Sequence, residues 1–445
     1  MPLFNWQEPI SDKAYNSLQN NRMFVNACTT GAGKTFICCD VIRRMKTPHL
    51  IIAPKASHTQ WLRVAQDMDV LPYILDVTNP EQLSKTTGCR WYTREGLWKL
   101  PENTTVVFDE IHRGASGISK MNTKTGKPTA ITTRAVAQLK AFPGSKLHAM
   151  SATTACDPLH LQALGYWAGM HGFNERSFYA WCRRHGCRDV SLGDRGSMFQ
   201  FTRKKKEAAE IMQEIRADFG DRFCALGPDE IPGFPGQIVR TKLIDLRKRD
   251  RQEIEAAYKE MSLRMKTRAL AQIAEGGRER ERIEFIMAGA LSEIVLNSVA
   301  DGNSVVVFFN FTEPRERFVA GIRTVYAGGI SQVYGNQKDN RQANIDAFQA
   351  NQNYLMVVNL SAGGVSLNLH DVLHQRPRES FIIPSYDAAA IRQALGRIRR
   401  VEGTFATQTF VIAAGTIQER VKVNLDLKTR NIDALNNGDL FPVQP

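Results

Sequence analysis

Two short runs carry residue types that could work on a polyphosphate. The first is Thr29-Thr-Gly-Ala-Gly-Lys-Thr35. Within it Gly31 and Gly33 leave room for the amides of Thr30, Gly31, Ala32 and Gly33 to approach β- and γ-phosphates. Lys34 adds a point charge, and the Thr35 hydroxyl can ligate Mg²⁺. The second is the acidic pair Asp109-Glu110, which closes the apolar run Val106-Val-Phe108. Adjacent carboxylates can divide the work: Asp109 holds the metal through water, and Glu110 polarises the attacking water. Either run alone also reads as an ordinary glycine-rich loop or acidic turn, and Cys28 stands where the usual phosphate-loop pattern has glycine. Together they describe a site for triphosphate hydrolysis.

Such a site needs a parallel sheet, because strands in α/β proteins deliver functional loops at their C-terminal ends. Short β-rich runs at 23–28, 50–53, 105–108 and 146–150 alternate with helical stretches, and the rhythm returns at 304–309, 354–358, 380–383 and 407–412. Alternating strands and helices imply a parallel sheet each time. The chain thus reads as α/β, with two parallel-sheet domains in tandem: 1–160 for the nucleotide and 301–445 for the second. Residues 161–300 are expected to be a helical, charged insertion and linker, with Ile283, Ile286, Ala290 and Ile294 at helical spacing and a turn-rich IPGFPG boundary at 231–236.

Composition narrows the class further. At 445 residues and 43% hydrophobic content the chain supports two or three cores without staples. No run approaches the ~18 apolar residues of a membrane helix, and the N-terminus has no signal-peptide pattern, so no membrane association and a cytoplasmic setting are expected. The eight cysteines form no CxxC pair, and Cys182, His185 and Cys187 match no common zinc spacing. The net charge of +13 is spread along the chain rather than held in a tail, which suits a polyanionic partner such as nucleic acid.

TTGAGKT, DEIH at 109–112, Ser151-Ala-Thr153 and QALGRIRR at 393–400 stand in the order that resembles superfamily two helicases and translocases. LIIAPKASHTQW at 50–61, WYTREGL at 91–97 and NLSAGGVSLNL at 359–369 extend the resemblance over nearly the whole chain. It implies two RecA-like domains that bind ATP and Mg²⁺. It also implies that Gln7 reads adenine, an edge its carboxamide can match with one donor and one acceptor, with a surface turn before Pro9 as the plain alternative. Gly364 would join the nucleotide site; His112, Ser151, Thr153 and Gln393 would couple it to movement. Arg397 and Arg400, three apart on one helix face, would act as arginine fingers on the γ-phosphate.

The runs AGGVSLNL and DEIHR, with SFYAWC at 177–182, resemble the SWI/SNF-type ATPases, nearest in flavour to the annealing helicases. IPSYDAAAI and Val401-Glu402 depart from that pattern. The resemblance implies a compact DNA translocase, viral or bacterial and expected to be monomeric, that remodels branched or forked DNA. Candidate contacts to nucleic-acid phosphates are Lys55, Thr93, Arg94, Arg183, Arg184, Lys204, Lys205, Asn359 and Ser361, with a solvated basic turn as the plain reading of the Arg203–Lys206 run. An RNA helicase and a nucleotide-gated DNA clamp without hydrolysis are the alternatives.

Overall fold

The computed structural model describes residues 2–85, 88–93, 95–122, 128–191, 197–202, 204–267, 272–335, 340–360, 367–385 and 387–436, with backbone alone at 205, 262–267 and 272–277. The chain folds as two compact units. One runs up to Pro232 and regains the chain from Leu427; the other is Gly233–Asp426.

In the first unit, strands β1 (Met23–Asn26), β2 (His49–Ile52), β3 (Ile74–Thr78), β4 (Thr105–Asp109) and β5 (Lys146–Met150) belong to one parallel sheet. A hairpin, β6 (Cys187–Ser191) with antiparallel β7 (Ser197–Phe201), stands apart from it. The two-residue β8 (Phe223–Cys224) completes the sheet order β3-β2-β4-β5-β1-β8. The four residues of β1 and of β2 are all buried, as expected of strands covered on both faces.

The second unit repeats the plan with β9 (Gln237–Ile244), β10 (Ser304–Phe309), β11 (Ile330–Val333), β12 (Leu355–Asn359), β13 (Arg378–Ile382) and β14 (Ala406–Ala413). Their order is β11-β12-β10-β13-β14-β9, parallel throughout. All six residues of central β10 are buried. The helix Gln272–Ala300 lays Met287, Leu291 and Val295 into this unit's core. From Arg278 onward it is long and apolar enough to cross a membrane by composition, but it carries core side chains of the unit.

The stretch 161–300 differs from the mostly helical insertion expected. It contributes the β6–β7 hairpin, and β8 and β9 each join a sheet. β9 escapes a hydrophobic-pattern reading because it is an edge strand whose Arg240, Thr241, Lys242 and Leu243 are exposed.

Candidate nucleotide site

Strand register explains how residues 75 positions apart come to share a site. Parallel pairing sets Asn26 opposite Met150 and Met150 opposite Asp109. Three adjacent strands, β1, β5 and β4, therefore release their following segments at one level of the sheet's C-terminal edge. With strands about 4.8 Å apart, the glycine-rich loop after β1 and the acidic pair after β4 lie about 10 Å from each other, with Ser151 between them.

In the loop, Gly31 (φ +90°) and Gly33 (φ +68°) adopt the left-handed conformation that side chains disfavour. Gly33 also caps the helix Lys34–Met45 without using a side chain, so no side chain of the cap stoppers this positive helix end. A Cβ at Gly33 would fall on the Gln7 amide. Gln7 is buried; its Nε2 donates to Ala32 O at 3.2 Å, and its Oε1 accepts from Phe4 N at 3.1 Å. The carboxamide expected to meet adenine is thus seated on the loop backbone. Lys34 Nζ donates to the carbonyls of Cys28 (3.0 Å) and Thr29 (3.2 Å), which holds the ammonium over the loop.

The acidic pair is asymmetric. Asp109 ends β4, and its Oδ2 accepts a hydrogen bond from Trp61 Nε1 at 3.0 Å. Burial, reinforced by the neighbouring Glu110 charge, lifts its pKa to about 6, against the lowering influence of Trp61 and Lys34. Glu110 has φ +53°, and this left-handed turn swings its side chain off the strand direction. Its Oε2 is buried and faces His112 rather than a hydrogen-bond donor of the loop. The oxygens of Thr35 and Asp109 and the cradle at Gly33 suit a nucleoside triphosphate with a hard divalent cation.

Behind Glu110 lies a small polar relay. Its Oε2 stands 3.4 Å from His112 Nδ1. That ring nitrogen is also 2.8 Å from Ser151 Oγ and 3.1 Å from Thr153 Oγ1, with the direction of each hydrogen bond set by the tautomer. Thr153 N donates to Ser151 Oγ at 2.9 Å, which fixes the turn after β5. His112 and the pair Ser151 and Thr153, some forty residues later, are one cluster. Trp61 was legible only as part of a longer motif; its bond to Asp109 is a partnership that spacing does not announce.

No protein-family model matches the chain. A relative from Acanthamoeba polyphaga mimivirus, named "Putative ATP-dependent RNA helicase", is 24% identical over an alignment of 459 residues that takes in 94% of this chain and 80% of the relative. Among solved structures, S. cerevisiae Dbp5 bound to RNA and ADP BeF3 superposes with a TM-score of 0.51 at 11% identity, covering 94% of this chain and 87% of that one. The Sulfolobus solfataricus SWI2/SNF2 ATPase core in complex with dsDNA aligns over 99% of this chain and 94% of its own at 16% identity, with a TM-score of 0.38. The chain shares the tandem parallel-sheet fold of the Dbp5 structure and is similar in sequence to the mimivirus relative.

In the second unit, Gln393 is buried on the helix Ala388–Leu395, and Arg397 and Arg400 follow it. Their guanidinium groups donate to one acceptor, Leu367 O, at 3.5 and 3.2 Å. The helix ends at Leu395, so the two arginines lie in the turn beyond it rather than on a shared helix face, and it is this turn that brings both to the Leu367 carbonyl. Gly364 and Ser361 lie outside the described residues.

The nucleic-acid candidates do not form one group. Lys55 is exposed just after β2. Thr93 shapes a turn, its Oγ1 accepting from Leu97 N at 3.2 Å, and Arg94 lies outside the described residues. Arg183 and Arg184 are exposed at the end of the helix Glu175–Arg184, where Arg183 pairs with Asp189 at 3.4 Å and lies over the Phe199 ring. Lys204 is exposed and pairs with Glu207 at 3.4 Å; Arg203 and the Lys205 side chain lie outside the described residues. Asn359 is only 4% exposed at the end of β12, buried in the sheet where a surface contact was expected.

Proposed function

We propose that this chain is a DNA translocase that uses Mg²⁺ and ATP to remodel branched or forked DNA by branch migration or re-annealing. The observation that carries the reading is the alignment of Asn26, Met150 and Asp109 across β1, β5 and β4, which lines up the phosphate loop, the relay turn and the acidic pair. In the proposed mechanism the amides of Thr30 to Gly33 and the Lys34 ammonium hold the β- and γ-phosphates. Thr35 and Asp109 supply oxygens for the divalent cation, which would neutralise developing phosphate charge when bound. Glu110 takes the proton of the attacking water at its carboxylate. His112 then passes the state of Glu110 to Ser151 and Thr153. Arg397 and Arg400 are assigned to the transferred phosphate by the resemblance of QALGRIRR to the helicase motif.

The preference for DNA rests on the SWI/SNF-like runs DEIHR and AGGVSLNL. Exposed Lys55, Arg183, Arg184 and Lys204 offer sequence-independent phosphate contacts, and the spread-out charge of +13 predicts binding that weakens steeply with salt. An RNA helicase is the second reading, favoured by the name of the mimivirus relative over 94% of this chain. The deciding experiment compares ATP hydrolysis with single-stranded, linear duplex, forked and four-way junction DNA and with RNA. Strongest stimulation by forks or junctions is expected. Equal stimulation by linear duplex leaves a generic translocase, RNA preference overturns the DNA assignment, and negligible hydrolysis with tight DNA binding identifies a clamp.

A further inference from the structure

Just beyond the relay turn, the segment after Thr153 gathers three ligand types outside the nucleotide site. Cys156 Sγ lies 3.3 Å from His160 Nδ1. His160 Nδ1 lies 3.7 Å from Asp157 Oδ1, and Cys156 Sγ lies 3.8 Å from Asp157 Oδ2. Zinc bonds of about 2.0–2.3 Å to N, O and S, set at tetrahedral angles, place ligand atoms about 3.4–3.6 Å apart. The Cys156–His160 separation is close to one such edge, Asp157 turns Oδ1 toward the imidazole and Oδ2 toward the thiol, and one ligand atom from each residue lies within 4.8 Å of the others.

We propose that Cys156, Asp157 and His160 form a zinc-binding site with one position left to solvent. The donor set of thiolate, imidazole and carboxylate selects zinc over the oxygen-seeking Mg²⁺ of the nucleotide site. Three protein ligands with an open fourth position is an established zinc arrangement, and the His160 side chain is 37% exposed, which leaves a route in. The ligands are also held from outside. Asp157 Oδ1 accepts from Leu159 N at 2.9 Å, fixing the carboxylate at the start of the turn Pro158–Leu161. Asn431 Nδ2 donates to Cys156 O at 3.0 Å, and Asn436 Nδ2 donates to Ala152 O at 2.8 Å, so two asparagines of the C-terminal helix hold the backbone that leads into the cluster. Such outer contacts orient metal ligands. Among the described residues this is where three candidate ligand atoms converge. In the Cys182, His185, Cys187 group, by contrast, His185 Nδ1 is turned to Trp181 O at 2.9 Å.

The site reads independently of the nucleotide chemistry and is tested on the full chain. After chelator treatment the protein is titrated with Co²⁺ and then Zn²⁺ while absorption is recorded. The expected result is a thiolate-to-cobalt charge-transfer band that saturates at one ion per chain and is displaced by zinc. Cys156→Ser and His160→Gln should each abolish the band and weaken binding at least tenfold, while Cys187→Ser should keep both. Far-ultraviolet circular dichroism of the metal-free variants checks folding, and His160→Gln carries the test should Cys156→Ser not fold. Absence of the band in the wild-type protein, or its survival in His160→Gln, overturns the proposal.

Discussion

Each unit has a strand that runs directly into a helix, and the two turns at those junctions solve the same electrostatic problem in opposite ways. After β1, glycines at positive φ lead into the helix Lys34–Met45, whose first amides have no side-chain cap. After β10 the chain turns at Asn310 and Phe311 into the helix Thr312–Arg323. There Glu284 fills the place. Its carboxylate accepts from Asn310 N (2.6 Å), Asn310 Nδ2 (2.7 Å) and Phe311 N (3.2 Å), and it is 2% exposed. Burial lifts its pKa to about 7, against the lowering effect of those hydrogen bonds. One turn has no stopper from its cap; the other is stoppered by an anion of its own chain. A βα junction is thus a site or a piece of core according to whether the fold supplies the negative charge.

The comparison breaks most visibly in turnover. Lys34→Ala or Glu110→Gln should lower nucleic-acid-stimulated phosphate release by about a thousandfold or more, with Glu110→Gln still binding nucleotide because Asp109 remains. Near-normal release in either variant would remove the first turn from the chemistry. Arg397→Ala and Arg400→Ala should each cost about a thousandfold in kcat with little change in ATP affinity. Loss of affinity at unchanged kcat would speak against their action on the transition state.

The second turn should respond in stability. Glu284→Ala leaves buried amides without a partner and should cost about 3 kcal/mol in denaturant unfolding while leaving KM for ATP unchanged. Sulfate should then stabilise this variant more than the wild type, because the stopper has been replaced by an open anion site. A variant indifferent to sulfate would show that the two turns are not equivalent constructions.

The smallest effect concerns protons. Asp109 must be ionised to hold a cation, and its pKa of about 6 means that Mg²⁺-nucleotide affinity should be flat above neutrality and fall up to about tenfold per unit once pH drops well below 6. Trp61→Phe removes a hydrogen bond to the charged form, so it should move the acid limb to higher pH. Isothermal titrations across pH 5 to 8 on both proteins check the direction.

The nucleotide site was readable because its demands fall on residue type: only glycine suits φ +68° beside Gln7, and only a strand end sets Asp109 level with the loop. The relay of His112, Ser151 and Thr153 was readable as a resemblance, but its hydrogen bonds were not, since they depend on β5 lying between β1 and β4. Glu284 was invisible for the opposite reason. A single acid on a charged helix looks like surface until the turn it fills is placed against it. β8 and β9 were missed because two residues give no period and an exposed edge strand gives no apolar alternation. The cluster at Cys156 was hidden because a Cys-Asp-x-x-His spacing needs the turn at Pro158 to bring its ends together.

The left-handed backbone at Glu110 carries a lesson for engineering. A residue with a side chain held there gives up about 1 kcal/mol relative to glycine. Selection for heat resistance alone would therefore favour glycine or asparagine at this position and return proteins that are sturdier and inert. A library sorted by melting temperature without a turnover screen should enrich such variants, and their frequency would measure how far this turn is kept for reactivity at the expense of durability.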